Sequence, residues 1–350
     1  MTAVWNLPDF DDHEGVHLFR DRESGLTAII AIHSTHLGPA AGGTRFWHYA
    51  DPASAITDAL RLSRGMSYKN AMAGLPMGGG KAVILSDADN HKSDALISAF
   101  AASVESLGGR YVTAQDVGMS AADMIAISKT TRHVCGLPAA PGQAGGDPGP
   151  STALGVYLGV KAAIKRALGC DSAKGVHVAI QGVGSVGGGL AHLLAADGAR
   201  LTLADRNGGH AAALAAQLGA QTVETDAIMT VEADIFSPCA LGAILDEASI
   251  AELKVAAVAG GANNQLAVPA DGDRITERGI LYAPDYVINA GGIINVGVEY
   301  MKLGDRNAVE ARVAGIPARL NQIWDESAAT GDNPAKVADR IAQALIGRRN

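Results

Sequence analysis

The chain has few aromatic residues and few cysteines. Aromatic side chains make up 4% of its 350 residues, and three cysteines, Cys135, Cys170 and Cys239, are spread widely along it. An odd number of distant cysteines supports neither a disulfide framework nor a zinc cluster, so we expect no metal site and three buried, reduced thiols. Because hydrophobic residues still amount to 48%, Ala, Val, Ile and Leu must build the cores.

Long runs of one kind of residue are also absent. The sequence has no run of five or more like charges and a formal net charge of −8, so nucleic acid is not an expected partner. No stretch reaches about 18 uninterrupted apolar residues, and the first residues, MTAVWNLPDFDDHEG, lack the apolar segment of a signal peptide. We therefore expect a cytoplasmic protein that does not act at a membrane.

Glycine, by contrast, is abundant. The chain has 43 glycines, which exceeds the usual share of about 7% and predicts many tight turns and close backbone approaches. Residues 137–150, LPAAPGQAGGDPGP, concentrate glycine and proline. They predict a domain boundary or hinge.

The order of predicted elements changes at this segment. Before it, strands are expected at 26–33, 81–85 and 110–116, and helices at 51–66, 92–109 and 120–128, with Asp51 and the pair Ser120–Asp123 as N-terminal caps. After it, helices are expected at 151–169, 185–198 and 208–219, strands at 176–182, 200–205, 233–240 and 255–265, and more helix from about residue 305. Alternating strands and helices imply right-handed crossovers and a parallel sheet, and hence an α/β protein of two domains.

The stretch VHVAIQGVGSVGGGLAHLL contains a glycine motif. Gly182, Gly184 and Gly187 follow the order G-x-G-x-x-G after a predicted strand and at the start of a predicted helix. The first glycine would permit a tight turn, the second would let the backbone approach a pyrophosphate, and the third would let helix and strand pack closely. The helix N-terminus favours the anion, so this context predicts a dinucleotide site.

The residue that ends the next predicted strand bears on cofactor choice. Asp205 would accept hydrogen bonds from the adenosine ribose, and its charge would repel a 2′-phosphate, which favours NAD over NADP. The neighbouring Arg206 could serve a phosphate, so some use of NADP stays open.

A second glycine-rich stretch, KNAMAGLPMGGGK, carries Lys69 and Lys81 at the two ends of an expected tight loop. It is not a nucleoside triphosphate loop, because Ala82 stands where a magnesium-binding hydroxyl would follow the lysine and a strand replaces the expected helix. Two lysines brought close would lower each other's pKa, and burial would add to this effect, so that one could stay charged against a carboxylate and the other could act as a base. Asp116 lies just past a predicted strand, where α/β proteins place functional groups.

Eight stretches together resemble one family. They are LGPAAGGTR (37–45), LSRGMSYKNAMAGLPMGGGKAVI (62–84), GRYVTAQDVG (109–118), GDPGPSTALGVY (146–157), QGVGSVG (181–187), DIFSPCALG (234–242), AGGANNQL (259–266) and YAPDYVINAGGIINV (282–296). From about residue 25 to about residue 300, the chain resembles the Glu/Leu/Phe/Val dehydrogenase family, and in particular its shorter leucine/phenylalanine/valine branch.

The resemblance implies a domain organisation. Residues 1–136 would form an α/β substrate-binding and oligomerisation domain, and residues 137–325 a Rossmann-type NAD-binding domain across an active-site cleft. Residues 326–350 would be a helical segment that returns towards the first domain. The protein would be a homo-oligomer, a dimer or larger.

The resemblance also implies roles in substrate binding and chemistry. Lys69 would bind the substrate carboxylate, Lys81 would be the catalytic lysine, and Asp116 would exchange the proton on the substrate nitrogen. The other substrate positions that it implies are Gly42, Gly43 and Met66, the polar Asn263 and Asn289, and the apolar Ala41, Ala114, Ile293 and Val296.

For the cofactor, the resemblance places Thr152 on the nicotinamide amide, Asn289 near the nicotinamide ring and Ala240 beside the adenosine. The full set of implied cofactor positions is Asp147, Ser151, Thr152, Gly182, Gly184, Ser185, Val186, Gly187, Asp205, Arg206, Cys239, Ala240, Ala262, Asn263 and Asn289.

The implied reaction is NAD-dependent, reversible oxidative deamination of an apolar L-amino acid to the 2-oxo acid and ammonia. Ala114, Ile293 and Val296 favour a branched-chain substrate, while the small Ala41 leaves room for phenylalanine or another aromatic amino acid. A third possibility is a non-catalytic NAD-binding regulatory protein, which would require a broken set of Lys69, Lys81 and Asp116.

Overall fold

The chain forms two compact units in a computed structural model that describes residues 3–7, 9–86 and 92–348. The first unit comprises Met1–Asp147, Asn295–Ala308 and Ala342–Asn350. The second comprises Pro148–Ile294 and Val309–Ile341. Each unit has its own β-sheet.

The sheet of the first unit is mixed. Its elements in chain order are β1 (Gly15–Arg20), β2 (Thr27–Ser34), β3 (Ala40–Trp47), α1 (Pro52–Met72), β4 (Gly78–Leu85), α2 (Asp94–Ser106), β5 (Tyr111–Gln115) and α3 (Ala121–Ser128). The strand order is β1-β2-β4-β3-β5. Strand β3 runs parallel to β4 and β5, whereas β2 runs antiparallel to β1 and β4. The carboxyl ends of β3, β4 and β5 therefore lie at one edge of the sheet.

Helices cover both faces of this sheet. Helix α1 packs on one face, where its Ala59 and Leu60 join Ile29 of β2 and Val83 of β4 in one core cluster. On the other face, residues of α2 and α3 pack against the alternate strand residues, in a cluster that includes Ile30, Ile32, Ala82, Ile84, Leu96, Phe100 and Met124. Because side chains alternate along a strand, Lys81 lies on the same face as Val83, the face that α1 covers.

The stretch that carries the two lysines is not the tight glycine loop that the sequence predicted. Lys69 lies in the last turn of α1, which extends past the predicted end at residue 66, and Gly78 already opens β4. A Cβ at Gly79 would lie 2.0 Å from the backbone nitrogen of Ser67 in α1. The glycines therefore let a helix lie directly on a strand, and their role is close approach, not a turn.

The sheet of the second unit is entirely parallel. Its elements are α4 (Gly149–Leu168), β6 (His177–Gln181), α5 (Ser185–Ala196), β7 (Arg200–Ala204), α6 (Gly208–Leu218), β8 (Gln221–Thr222), β9 (Ile235–Pro238), α7 (Glu247–Glu252), β10 (Ala257–Val258), α8 (Ala270–Glu277), β11 (Leu281–Tyr282), α9 (Asp285–Ile288) and α12 (Ile316–Thr330), with α10 (Gly291–Tyr300), α11 (Arg306–Val313) and α13 (Pro334–Leu345) continuing from one unit into the other. The strand order β11-β10-β9-β6-β7-β8 is that of a Rossmann-like sheet. The predicted two-domain α/β fold is confirmed.

The compact units divide the chain differently from the predicted domain boundaries. Residues 137–147 group with the first unit, where the backbone N–H of Leu137 donates to Glu299 (3.1 Å) and Gly145 exchanges two hydrogen bonds with the amide of Asn295 (3.0 and 2.8 Å). Of the segment 326–350, residues up to Ile341 group with the second unit and the remainder with the first.

The predicted N-terminal caps of two helices are confirmed. Asp51 caps α1 by accepting a hydrogen bond from the N–H of Ser54 (2.9 Å), and Ser120 and Asp123 form the predicted capping box. The expectation of three buried thiols holds for Cys135 but is wrong for Cys170, which is exposed just after α4, and Cys239 is only partly buried. None of the helices in the described residues is long and apolar enough to cross a membrane.

Candidate active site

Lys81 and Asp116 form an ion pair. The distance from Nζ of Lys81 to Oδ2 of Asp116 is 2.6 Å. Lys81 is 6% exposed on β4, and Asp116 directly follows β5. Burial lowers the pKa of Lys81, against the opposing effect of the Asp116 carboxylate. Burial alone would raise the pKa of Asp116, but Lys81 and Arg45 outweigh it and hold that pKa below its ordinary value.

The cause of the low lysine pKa differs from the one that the sequence predicted. The sequence attributed it mainly to repulsion between Lys69 and Lys81, with burial as an added cause. In the structure burial is the largest cause, and the cation that adds to it is Arg45. Strand β4 carries Lys81 into the interior of the sheet, so removal from water supplies most of the effect without a second lysine.

Sequence reasoning missed a cluster of charged residues beside this pair. Arg45 of β3 donates from Nε to Asp116 Oδ2 (3.2 Å) and from Nη1 to Asp58 Oδ2 on α1 (2.7 Å). Tyr49 donates its hydroxyl to the same oxygen of Asp58 (2.6 Å). The available signal was an arginine that ends the motif LGPAAGGTR within a strand whose other residues are small or apolar.

Small residues surround the ion pair. A Cβ at Gly43 would lie 2.7 Å from Cβ of Asp116, and a Cβ at Gly42 would lie 1.8 Å from the carbonyl oxygen of Gly80 and 3.2 Å from Cγ of Met66. The hydroxyl of Tyr111 donates to the carbonyl of Gly42 (2.7 Å). The predicted Gly42, Gly43, Met66, Lys81 and Asp116 therefore come together in the first unit. A larger residue at Gly43 would collide with Asp116, and one at Gly42 would collide with Gly80.

The predicted side-chain pocket residues are divided between the units. Ala41 is buried on β3 opposite Gly79 and Val112, and Ala114 is partly buried on β5. Val296 lies in the part of α10 that belongs to the first unit, whereas Ile293 belongs to the second. The pocket they would form stays a prediction.

The glycine motif of the second unit makes a tight turn between β6 and α5. Gly182 has φ +87°, and its N–H donates to Ala204 (2.7 Å). A Cβ at Gly187 would lie 1.9 Å from the carbonyl oxygen of Gly182. Gly184 precedes the first residue of α5, is exposed, and has no atom within 4 Å of its would-be Cβ. The turn thus leaves open space in front of a helix N-terminus.

Asp205 lies beside this turn, just after β7. Its Oδ2 accepts from the N–H of Val183, and its Oδ1 accepts from the N–H of Asn207, both at 2.8 Å. Partial burial acts against ionisation, but these two hydrogen bonds outweigh it and hold the pKa of Asp205 below its ordinary value. The neighbouring Arg206 is exposed, so a fixed carboxylate and a solvent-exposed cation stand side by side.

Two predicted asparagines contact each other. Nδ2 of the buried Asn289 donates to Oδ1 of Asn263 (2.8 Å) and to the carbonyl of Gly261 (3.1 Å). Among the described residues, Oδ1 of Asn289 has no hydrogen-bond partner although it is buried. A buried acceptor without a partner is costly unless a ligand supplies the donor.

The remaining predicted cofactor positions lie at three places in the second unit and at the end of the first. Thr152 donates its hydroxyl to the carbonyl of Pro148 (2.8 Å), and Ser151 packs against Gly291, whose Cβ would lie 1.9 Å from the serine carbonyl. A Cβ at Gly182 would lie 2.6 Å from Cβ of Ala240. Three further positions lie near the glycine turn: Ser185 is exposed, and Val186 and Cys239 are partly buried. Asp147, two residues before α4, is exposed, and Ala262 is buried.

The residues of the second unit fit a nicotinamide dinucleotide. The open helix N-terminus suits a pyrophosphate, the carboxylate of Asp205 suits ribose hydroxyls, and the unpartnered oxygen of Asn289 suits an N–H or O–H donor. Within the described residues, no group of three or more His, Cys, Asp or Glu side chains could hold a metal ion.

Comparisons with known proteins agree with these features. Two family sequence models match the chain: "Glu/Leu/Phe/Val dehydrogenase, dimerisation domain" over residues 13–133, and "Glutamate/Leucine/Phenylalanine/Valine dehydrogenase" over residues 201–341. The chain is 47% identical over 335 residues to a leucine dehydrogenase of Thermoactinomyces intermedius, covering 96% of this chain and 91% of the relative. It is 46% identical over 338 residues to a valine dehydrogenase of Streptomyces albus, covering 96% and 92%.

A solved structure is similar over nearly the whole length. The crystal structure of an L-tryptophan dehydrogenase from Nostoc punctiforme matches with a TM-score of 0.85 and 40% identity, covering 96% of each chain. The chain therefore belongs to the Glu/Leu/Phe/Val dehydrogenase family, as its motifs predicted, and is an amino acid dehydrogenase, an oxidoreductase of the Rossmann type that uses a nicotinamide cofactor.

Proposed function

We propose that the protein catalyses the NAD-dependent, reversible oxidative deamination of an apolar L-amino acid of the leucine, valine or isoleucine type. The products are the 2-oxo acid and ammonia. The observation that carries this proposal is the buried Lys81–Asp116 pair, 2.6 Å between charged atoms, with glycines on the adjacent strand. Such a pair offers a base and a proton carrier side by side.

The substrate carboxylate would lie against Lys69 and the backbone of Gly42 and Gly43. Lys69 is carried by α1, the helix packed on the face of the sheet that holds Lys81. The two glycines let the backbone of β3 lie directly against Gly80 and Asp116, so a substrate there would meet backbone groups of β3 and not side chains. Met66 lies beside Gly42 and would border the substrate from the helix side.

When bound, the cofactor would accept a hydride from Cα of the substrate. Lys81, made less basic by burial, then takes a proton from a water molecule that attacks the resulting iminium carbon. Asp116 exchanges protons with the substrate nitrogen as ammonia leaves. The two groups divide the work because burial lowers the pKa of the lysine, while Lys81 and Arg45 hold the pKa of the aspartate below its ordinary value.

NAD is the proposed cofactor, and Asp205 supports this choice over NADP. Its carboxylate is held in place by the N–H groups of Val183 and Asn207. A fixed negative charge at this point accepts hydrogen bonds from ribose hydroxyls and repels a 2′-phosphate. Arg206 is exposed and leaves a minor use of NADP open.

A second candidate function is the dehydrogenation of an aromatic amino acid. The small Ala41 and the 40% identity to an enzyme described as an L-tryptophan dehydrogenase favour it. Ala114, Ile293 and Val296 and the leucine and valine dehydrogenase relatives favour a branched chain. The regulatory alternative has no support, because Lys69, Lys81 and Asp116 are all present.

The proposal extends to assembly and location. The N-terminal match is described as a dimerisation domain, which supports a homo-oligomer, a dimer or larger. We assign substrate binding and oligomerisation to residues 1–136, NAD binding to 137–325 and a supporting helical role to 326–350. The cytoplasm is the proposed compartment.

A kinetic panel tests the function. Purified protein is assayed with NADH, ammonia and the 2-oxo acids that correspond to leucine, valine, isoleucine, phenylalanine, tryptophan and glutamate. We expect the highest kcat/KM with a branched-chain 2-oxo acid and at least about a hundredfold less with 2-oxoglutarate. A preference for an aromatic 2-oxo acid would select the second candidate, and no turnover with any of them would overturn both.

A further inference from the structure

Arg45 lies between two carboxylates on different elements. It contacts Asp116, which follows β5, through Nε at 3.2 Å, and Asp58 of α1 through Nη1 at 2.7 Å. Its side chain is 24% exposed and that of Asp58 is 11% exposed. An arginine can bridge two acceptors in this way because its guanidinium presents several N–H donors in one rigid plane.

Arg45 and Lys81 bind the same oxygen of Asp116. Oδ2 receives both Nζ of Lys81 at 2.6 Å and Nε of Arg45 at 3.2 Å. Two cations thus share one negatively charged oxygen, and each weakens the ion pair that the other forms with it. The charge of Arg45 lowers the pKa of Lys81 and, together with Lys81, lowers the pKa of Asp116.

Asp58 offsets the charge of Arg45. Its contact with the guanidinium (2.7 Å) is shorter than that of Asp116 (3.2 Å), so Asp58 is the nearer counter-ion of Arg45. The Tyr49 hydroxyl donates to Oδ2 of Asp58 (2.6 Å) and orients that carboxylate. The charge of Asp58 acts on Lys81 in the opposite direction to that of Arg45, since it raises the lysine pKa.

We propose that Arg45 and Asp58 are a positioning pair that sets how the proton is shared between Lys81 and Asp116, with Arg45 favouring a neutral lysine and Asp58 limiting that effect. Neither residue needs to touch the substrate. The proposal rests on the roles proposed for Lys81 and Asp116.

The charged groups around the pair come from every element that packs there. Lys81 comes from β4, Arg45 from β3, Asp58 from α1 and Asp116 from the end of β5, with the Tyr49 hydroxyl just after β3. Helix α1 also carries Lys69, whose proposed partner is the substrate carboxylate, and Arg61, which contacts the other oxygen of Asp58 at 3.3 Å.

The test is the pH profile of kcat/KM for L-leucine oxidation with NAD. Oxidation requires neutral Lys81, so the ascending limb reports its protonation. In Arg45→Gln we expect this limb to move to higher pH by about half to one unit, and in Asp58→Asn to lower pH. Arg45→Lys keeps the charge and should leave the limb within about 0.3 unit of the parent while kcat falls.

Arg61→Gln is the matched control. It removes one charge from the same carboxylate, but from a side chain that is 53% exposed, so solvent screens it and the limb should not move. A purely structural role would reduce kcat in both variants without moving their limbs in opposite directions. Limbs that stay in place, or that shift the same way, would overturn the proposal.

A second measurement separates this proposal from the proposed function. The protonation of Lys81 is followed without turnover by competitive labelling with acetic anhydride across pH, resolved by mass spectrometry, in the parent, Asp58→Asn and Arg45→Lys proteins. A lower midpoint in Asp58→Asn supports the pair even if the protein oxidises no amino acid. The midpoint in Arg45→Lys should stay at that of the parent, whereas an unchanged midpoint in Asp58→Asn refutes the proposal even if oxidation is efficient. These two variants also serve if Arg45→Gln does not fold.

Discussion

Nζ of Lys81 lies 2.6 Å from Oδ2 of Asp116, although the two residues are 35 positions apart and belong to different strands. The contact arises because β3 lies between β4 and β5 and runs parallel to both, so that the side chain of Lys81 on β4 reaches across β3 to the end of β5. A buried amine, whose pKa is lowered by burial, and a partly buried carboxylate, whose pKa is lowered by Lys81 and Arg45, follow directly from this strand order.

Removal of the Lys81 amine should abolish most of the catalysis but leave the binding of substrate and cofactor. In Lys81→Ala we expect kcat for the best amino acid to fall by at least about a hundredfold, because general base catalysis contributes about 10²–10⁴ in rate. Asp116 retains Arg45 as a partner, so the fold should persist. Steady-state kinetics and a melting curve measure both effects.

The matched control is Lys92→Ala, which removes an ion-paired lysine from the same unit. Its kcat should stay within about twofold of the parent, since an ion pair that is partly exposed stabilises little. Equal losses in the two variants would show that Lys81 has only a structural role.

A substitution at Gly184 tests cofactor binding without disturbing the fold. A Cβ there meets no atom within 4 Å, and its φ of −66° suits any residue, so Gly184→Ala should melt at the parent temperature. The methyl group would instead enter the space in front of α5 where a pyrophosphate would lie. We expect the Kd for NADH, measured by fluorescence titration, to rise at least about tenfold.

Gly208→Ala serves as its control. Gly208 begins α6 in the next strand–helix unit and likewise has open space around its would-be Cβ. Cofactor affinity and melting temperature should both be unchanged. If Gly184→Ala bound NADH as tightly as this control, the pyrophosphate assignment would be wrong.

Asp205 should govern the choice between NAD and NADP. Asp205→Asn keeps the shape and one acceptor oxygen for the turn but removes the charge that would repel a 2′-phosphate. The ratio of kcat/KM for NADP to that for NAD should rise about tenfold or more, since hydrogen bonds to a charged group are worth about 1.5–3 kcal/mol. Adding Arg206→Ala should reduce the gain if that arginine serves the phosphate. A ratio that stays constant in Asp205→Asn contradicts the ribose assignment.

The parts of the molecule that were predictable are those with local causes. The turn at Gly182 and the capping box of Ser120 follow from backbone geometry within a few residues, and sequence patterns report such geometry directly. The glycine run before Lys81 has two local explanations, a turn or a strand under a closely packed helix, and only the tertiary structure selects the second. The link from Arg45 to Asp58 depends on α1 crossing β3, which no pattern of residues indicated.

A buried histidine should make stability depend on pH. His13 is 8% exposed. Its Nε2 lies 3.1 Å from the carbonyl of Leu60 and 3.0 Å from Oγ of Ser63, and its Nδ1 accepts from the N–H of Asp11 (3.1 Å), an arrangement that suits the neutral ring. Burial, assisted by the charge of His33, lowers the pKa of His13 from 6.5 to about 4.

Because the folded pKa is depressed, the unfolded chain binds a proton at His13 first as the pH falls. Between pH 6.5 and about 4 the free energy of unfolding should therefore decrease with falling pH, by about 2 kcal/mol at pH 5 relative to pH 7.5 from this residue. The side chain in His13→Gln can still donate to the Leu60 carbonyl but does not titrate. Urea denaturation of this variant at pH 7.5 and pH 5 should therefore show a difference in the free energy of unfolding that is smaller by this amount. Replacing the exposed His192 by Gln should leave the difference intact. A His13→Gln protein with the parent's full pH dependence would show that its acid sensitivity arises elsewhere.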